Sequence, residues 1–472
     1  MPALKPPAAV RIVTLPPRKA LVAAQTDVLV VGGGPAGLAA AIGAAAAGAQ
    51  VVLAERYGFL GGNATAALVM PLMSFRTQQA GLAGKTNPSL MPGDHGPGEA
   101  VIAGVLETLL RRLVQAGGAI PPSLDTGYVV PFDPEIFKVV ALDLLDEAGV
   151  RFLLHALATD VVGAPEVRGT VFETKSGCVV IEAKTTVDCT GDGDLAALAG
   201  APFDVGRPED GLAQPMTLMF RMVDFERTAF ENYVREHPDQ WRGVYGLWDL
   251  VQQATAAGEL DLQREDILIF GTPHEGEVTL NSTRVRRMLG INVWDLSYAE
   301  AESRRQMHQI VAFLKRYVPG FENAYAVQSG VNVGVRETRR IAGEYRLTAD
   351  DLLNARRFDD VIARGSYPLD IHDPLGKGTM LKRLPPGEAY DIPLRCLVPQ
   401  CIDNLLVAGR CISGTHEAHS SYRVMPIAMA TGHAAGVCAA ISAGSGKPPR
   451  DIPARDVQQE LIRQGASLAH PA

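Results

Sequence analysis

The chain has 472 residues and a formal charge of −8, from 44 Lys and Arg against 52 Asp and Glu, with 47% hydrophobic residues. That length accommodates two or three domains with substantial cores, and the acidic balance excludes a nucleic-acid partner, since phosphate binding needs a basic surface. The six cysteines (Cys178, Cys189, Cys396, Cys401, Cys411, Cys438) show no C-x-x-C and no zinc or iron–sulfur spacing, so no metal site is expected and the thiols read as reduced and cytoplasmic.

Residues 1–24 contain Lys5, Arg11, Arg18 and Lys19 but no sustained apolar core ending in a cleavage site, and read as a tail or a short strand. Between Asp27 and Glu55 no residue is charged, which by length alone allows a membrane span. The order of residues argues otherwise, and no span is expected. Val28 to Val31 suit a strand, Gly32-Gly33-Gly34-Pro35 interrupt a helix, Ala36 to Ala47 suit one, and Val51 to Ala54 form a second strand. Gly32, Gly34 and Gly37 then match G-x-G-x-x-G: the first for a tight turn, the second for backbone approach to a pyrophosphate, the third for packing of helix on strand. Pro35 and Ala36 open a helix whose dipole and unpaired N–H groups favour an anion. Glu55 ends the second strand about 20 residues after the glycines, where a carboxylate accepts from a ribose diol. Arg56 stands beside it.

After Gly62 and Asn63 comes a Gly- and Pro-rich stretch, 76–99, which reads as a long loop, offered as a lid or as a contact in a homo-oligomer. Ala100 to Ala116 and Pro134 to Ala148 have helical spacing, and Arg151 to His155 reads as a strand. Ala158 to Val187 alternates over three short runs, the pattern of a β-meander, and leads into "DCTGDGD". Gly191-x-Gly193-x-x-Ala196 within it is a second glycine match, but only a short helix fits before Gly200 and no second dinucleotide domain is expected. From about Leu212 the composition turns polar and aromatic, with a strand-like "PMTLMFRMVDF" and a helix over Tyr298 to Tyr317. Nucleotide-domain character returns near the C-terminus, with a buried strand at Leu405 to Ala408 and a small-residue helix at Met425 to Ile441. The expected fold is therefore α/β: a Rossmann-like nucleotide-binding domain with a β-meander, plus an inserted α+β substrate domain. The boundaries are 1–24 tail, 25–211 nucleotide domain with its lid-like loop, 212–384 inserted cap, and 385–472 second part of the nucleotide domain and C-terminal tail.

The glycine fingerprint ending in Glu55, the meander closing on "DCTGDGD", and "NLLVAGR" followed by a helix together resemble FAD-dependent oxidoreductases of the glutathione-reductase-like FAD fold. More narrowly, "GVRETRRIAGEY" and "NLLVAGRCISGTHEAHSSYRVMPIAMATGHAAG" look like the bacterial FAD-dependent oxidoreductase family, distantly similar to fumarate-reductase-type flavoproteins. The resemblance implies FAD, with Gly32, Gly34 and Gly37 at the pyrophosphate and Glu55 at the adenosine ribose. It implies Thr190, Gly191 and Asp192 near the adenosine side, and Gly409 and Arg410 near the phosphates and ribityl chain. Many related flavoproteins have Asp where Arg410 stands, and an arginine there is suited to a diphosphate. No His lies near Gly61 to Thr65 at an attachment position, so noncovalent FAD is expected.

Flavin supplies its own hydride chemistry, which leaves the protein to orient substrate, move a proton and stabilise charge. The helix opening at Met425 and Pro426, preceded by Arg423, suits an anionic reduced ring. His416 and His419 precede that helix, and either is a candidate proton acceptor or a structural partner. His433 reads as packed core. Arg336 and Arg339, in "VRETRR", are candidates for a bidentate contact to a substrate carboxylate or for an ion-pair network joining domains. The expected activity is oxidation of a small polar alcohol or amine, with a separate electron acceptor that the sequence does not name. The rivals are a fumarate-reductase-like reductase of an activated double bond and an electron-transfer subunit with no organic substrate.

Overall fold

The computed structural model describes residues 12–78, 90, 91, 96, 98–376 and 378–468. Most of the loop at 76–99 lies outside the described residues. A seven-stranded sheet forms the base of the fold: six strands follow the order Arg151–Leu153, Val51–Ala54, Leu21–Val31, Gly177–Asp188, Gly169–Thr174, Leu157–Val162, and the seventh, Leu405–Val407, lies off this path. The first four strands run parallel, and the last three strands of the order form the antiparallel meander. The long strand Gly177–Asp188 serves two neighbours along one edge: its first half pairs with Gly169–Thr174, and its last residues pair in parallel with Leu405–Val407. The first strand begins at Leu21, inside the stretch read as a tail, because Leu21 and Val22 continue the ladder against Val179 and Val180.

Register then sets the site. Val31 pairs with both Ala54 and Asp188, and Asp188 pairs with Val407, so the carboxyl ends of four parallel strands stand in one row. Ligands of open α/β sheets bind beyond that end.

Two helices of small residues, Pro35–Ala46 and Met425–Ser445, pack on this sheet and on each other. Their contact is backbone on backbone. A Cβ added to Gly432 would meet the Ala36 carbonyl oxygen at 2.0 Å, and one on Gly436 would meet that of Ala40 at 2.0 Å. The C-terminal helix is long and apolar enough to cross a membrane by composition, but 83% of its most apolar window is buried inside the protein.

A second, antiparallel sheet has the order Tyr325–Ser329, Phe220–Val223, Val278–Leu280, Ile267–Gly271, Tyr245–Gly246, Trp241–Arg242. It has a core of its own, in which Phe220, Phe230, Trp241, Phe313 and Phe321 meet. The helix Val293–Tyr317 that closes this core starts before Tyr298, because the Asn292 side chain accepts from the amides of Trp294 and Asp295 and caps it. Asp133 ties the helix Pro134–Glu147 to the loop that carries His274 in the second sheet's unit. One oxygen caps the helix Pro134–Glu147, and the other lies 2.6 Å from Nε2 of His274. Ile341, Leu347, Ile362, Tyr367, Leu369 and Leu384 pack into the core of the first sheet, not the second.

Candidate functional site

Beyond the row of strand ends lies a cavity lined by Val31, Gly32, Gly34, Pro35 and Ala36, by Glu55 and Arg56, by Gly62 and Asn63, by Thr190 and Gly191, by Gly409 and Arg410, and by Arg423 and Met425. Chemically different segments meet there because each follows one of the aligned strands or opens one of the two slim helices.

The glycines divide the work. Gly32 has φ of +100°, and a Cβ there would lie 2.4 Å from the Cys189 carbonyl oxygen; at Gly37 it would lie 1.7 Å from that of Gly32. Both hold strand, turn and helix together. Gly34 differs: an added Cβ would find only the Gly62 Cα at 3.7 Å, so the space beside it belongs to the cavity. The helix Pro35–Ala46 has no side-chain cap, and neither has Met425–Ser445. The first-turn N–H groups that Pro35 and Pro426 do not remove are therefore available to an anion.

Carboxylates shape the far side. Glu55 is 4% exposed, and its two oxygens accept from the amides of Gly33 (2.5 Å) and Tyr57 (2.9 Å); burial pushes its pKa up. Arg56 stacks 4.8 Å from the Tyr57 ring centroid. Asp188 is fully buried and ties the next turn, accepting from the Thr190 amide (3.0 Å), the Thr190 hydroxyl (2.7 Å) and the Ala196 amide (3.0 Å). Nothing in its strand-like surroundings marks Asp188 in the sequence except its place as the first Asp of "DCTGDGD".

The family model for FAD-dependent oxidoreductases matches residues 27–461, which spans all of these segments. The chain belongs to the FAD-dependent oxidoreductase family. No curated protein matches the oxidoreductase by sequence. Among solved structures it is similar to a geranylgeranyl bacteriochlorophyll reductase-like protein from Thermoplasma acidophilum (13% identity, 94% of this chain and 84% of that one, TM-score 0.45). It is also similar to a flavin-dependent brominase (14%, 93% and 84%, TM-score 0.46) and to p-nitrophenol 4-monooxygenase from Pseudomonas putida (12%, 93% and 85%, TM-score 0.45). At these values the likenesses carry no argument about substrate.

FAD is the cofactor of this oxidoreductase, and the cavity fits it: the open side of Gly34 and two helix starts without side-chain caps border the space. Cys189 lines it, but burial holds that thiol well above its ordinary range and therefore protonated.

Other expected residues stand differently. Arg410 lines the cavity, yet its guanidinium donates to Asp192 Oδ1 (3.1 Å) and to the Gly191 and Val335 carbonyls. Asp192, which also accepts from Thr338 Oγ1 (2.9 Å), thus neutralises the cation expected at the diphosphate. Arg339 donates to Asp194 Oδ1 (2.8 Å) and the Asp192 carbonyl, the ion-pair alternative. Arg336 donates to the Pro215 carbonyl and to Thr217 Oγ1 (2.6 Å). His433 is 3% exposed and bonds Gln464 Oε1, as packed core. His416 and His419 are 3% and 1% exposed and do not line the cavity.

The sequence reading missed the cluster beside Arg423. Arg423 Nη2 lies 3.3 Å from Asp370 Oδ2, which also accepts from Tyr367 OH (3.0 Å) and stands 3.4 Å from His372 Nε2. Burial alone would raise the Asp370 pKa, but His372, Arg423 and Tyr367 hold it far below the usual carboxylate range. Burial pushes His372 down to about 3, against the pull of Asp370. The available signal was the alternation in "LDIH", which puts residues 370 and 372 on one face of a strand.

Proposed function

We propose that this oxidoreductase removes a hydride from a carbon bearing a hydroxyl or amine in a small polar molecule, passing it to flavin N5, with His416 taking the O–H or N–H proton and a separate acceptor reoxidising the cofactor. One observation carries the choice of base. His416 Nδ1 lies 2.9 Å from Glu337 Oε1, while its Nε2 is buried without a hydrogen-bond partner. A carboxylate that accepts a hydrogen bond from Nδ1–H keeps that proton on Nδ1 and leaves the lone pair on Nε2, which is the tautomer a general base needs. His419 is less suited, because burial and the nearby Arg340 and Arg423 push its pKa well below the ordinary histidine value.

FAD, when bound, supplies the two-electron acceptor. For the rest we assign Gly32, Gly34, Pro35, Ala36 and Gly409 to the pyrophosphate, Glu55 and Arg56 to the ribose, Thr190 and Gly191 to the adenosine side, and Asn63, Arg423 and Met425 to the ring. Asp192 positions Arg410, and Gly37 and Pro426 act through helix placement. The second sheet is assigned as the cap over the substrate, and the six free thiols support a cytoplasmic setting.

A second reading is reduction of an activated double bond with an arginine as acid. It is favoured by Arg423, which borders the cavity where neither histidine does. Anaerobic mixing separates the readings: bleaching of the oxidised flavin by alcohols or amines supports oxidation, and reoxidation of the reduced flavin by enoates, without bleaching by either, replaces it.

A further inference from the structure

Around Arg423, two buried donors have been left without acceptors. Arg423 Nε and Gln214 Nε2 are both buried and make no hydrogen bond. Gln214 is 1% exposed, and the orientation of its amide is fixed: the His372 N–H donates to Oε1 (3.4 Å), which leaves Nε2 as the unsatisfied atom. Two unmade bonds of buried donors are costly, and native interiors rarely carry them without a ligand or water.

The charges tell the same way. Among the described residues, Arg336 has no carboxylate within ion-pair distance; its acceptors, the Pro215 carbonyl and Thr217 Oγ1, are neutral and both lie on Nη1. Its position is tied to the cavity through the preceding residue, whose carbonyl accepts from the cavity-lining Asn63 and Arg410. Asp370, the acid that faces Arg423, is already shared with Tyr367 and His372. Two arginines therefore face one committed carboxylate. Arg284, a further buried cation, donates to His372 Nδ1 (2.9 Å) at the rear of the group. Burial, Arg423 and Arg284 press the Arg336 pKa well below its ordinary value, as expected where positive charge is in excess. The gap has the chemistry of a missing anion.

We infer that the substrate carries a carboxylate, held by Arg336, Arg423 and the side-chain amide of Gln214 beside the Arg423 end of the cofactor cavity. A carboxylate offers two oxygens in one plane, which match a guanidinium edge and accept from the unsatisfied amide as well. Glu337 accepts from the backbone N–H of Gln214 and from His416, so the segment that carries the anchor and the proposed base share one buried support. This inference rests on the hydride-transfer reading proposed above, and it narrows the substrate to a hydroxy or amino acid.

The test uses FAD-loaded protein and needs no turnover. Acetate, malonate and inorganic phosphate are titrated while the visible flavin spectrum is recorded, in wild type, Arg336→Gln and Gln214→Leu. The expected result is a saturable perturbation by at least one carboxylate, a dissociation constant raised about tenfold or more in Arg336→Gln and raised less in Gln214→Leu, and unchanged flavin content. Arg336→Lys should recover part of the binding. No saturable response to either carboxylate in wild type overturns the inference, as does wild-type binding by Arg336→Gln. Phosphate responding as strongly as the carboxylates in all variants overturns it too, in favour of an unselective anion site. Carboxylate binding without bleaching by any hydroxy or amino acid upholds the anchor and sinks the hydride-transfer reading alone.

Discussion

Glu337 Oε1 accepts from both His416 Nδ1 and the Arg340 guanidinium, so one fully buried carboxylate fixes a histidine tautomer and balances an arginine. The two roles separate by mutation. His416→Asn should slow anaerobic flavin reduction by roughly 10²–10⁴-fold with FAD still bound, the range for losing a general base. Glu337→Gln should do that and also destabilise the protein by about 3–5 kcal/mol, because Arg340 is left buried without its counter-charge. Stopped-flow reduction and urea denaturation read the two effects. Equal reduction rates in His416→Asn and wild type would remove the histidine from the proton path.

Gly34 distinguishes cofactor loss from misfolding. A Cβ at this position meets only Gly62 Cα, at 3.7 Å, so the protein itself tolerates a side chain. Gly34→Val should therefore fold with wild-type circular dichroism yet emerge colourless, its side chain standing where the pyrophosphate belongs. Gly37→Ala should fail differently, with disturbed folding, since its Cβ collides with the Gly32 carbonyl. Full flavin occupancy in Gly34→Val refutes the pyrophosphate assignment.

Asp194 supplies a pH-dependent test. Burial and its neighbours Asp192 and Asp188 raise its pKa from 3.8 to about 6, against the opposing pull of Arg339. A raised carboxyl pKa favours the protonated fold, so its contribution to stability is full below about pH 4 and is lost as pH rises through about 6. Asp194→Asn removes that loss. The melting temperature of the variant relative to wild type, both without FAD, should climb across that window. Arg339→Ala should move the loss to higher pH without changing substrate affinity, and a shifted substrate constant instead would return Arg339 to the list of anchors.

Local rules made the first half of the fold legible. Alternation, glycine placement and small-residue helices all derive from contacts within one βαβ unit or one meander, and the strands Val28 to Val31 and Val51 to Ala54 lie where those rules put them. Pairings between distant segments were not legible in the same way. Arg410 reads as a phosphate ligand until Asp192, 218 residues away, is seen to hold it. Asp370, His372 and Gln214 carry no motif at all; they become a group only when the chain brings a strand, a loop and the segment before Met425 together. The loop 76–99, the expected lid, lies mostly outside the described residues and receives no structural reading.

Glu55 is the residue at which sequence and structure give one side chain two tasks. The glycine fingerprint assigns its carboxylate to a ribose diol, whereas the structure shows both oxygens already accepting backbone amides, from Gly33 at the heart of the turn and from Tyr57. Each oxygen retains a second lone pair, so the tasks are compatible. Glu55→Gln keeps one acceptor and confronts the other amide with an NH₂ donor. The substitution should lower the stability of the FAD-free protein by about 1–3 kcal/mol, the cost of an unsatisfied buried donor. It should also weaken FAD binding, by roughly one to two decades where a charge-assisted bond of about 1.5–3 kcal/mol is lost. Melting of the FAD-free protein isolates the first effect, and titration with FAD at a temperature where both proteins are folded isolates the second. A lowered melting temperature with an unchanged FAD dissociation constant would leave Glu55 as a brace for the Gly33 turn and take it away from the ribose.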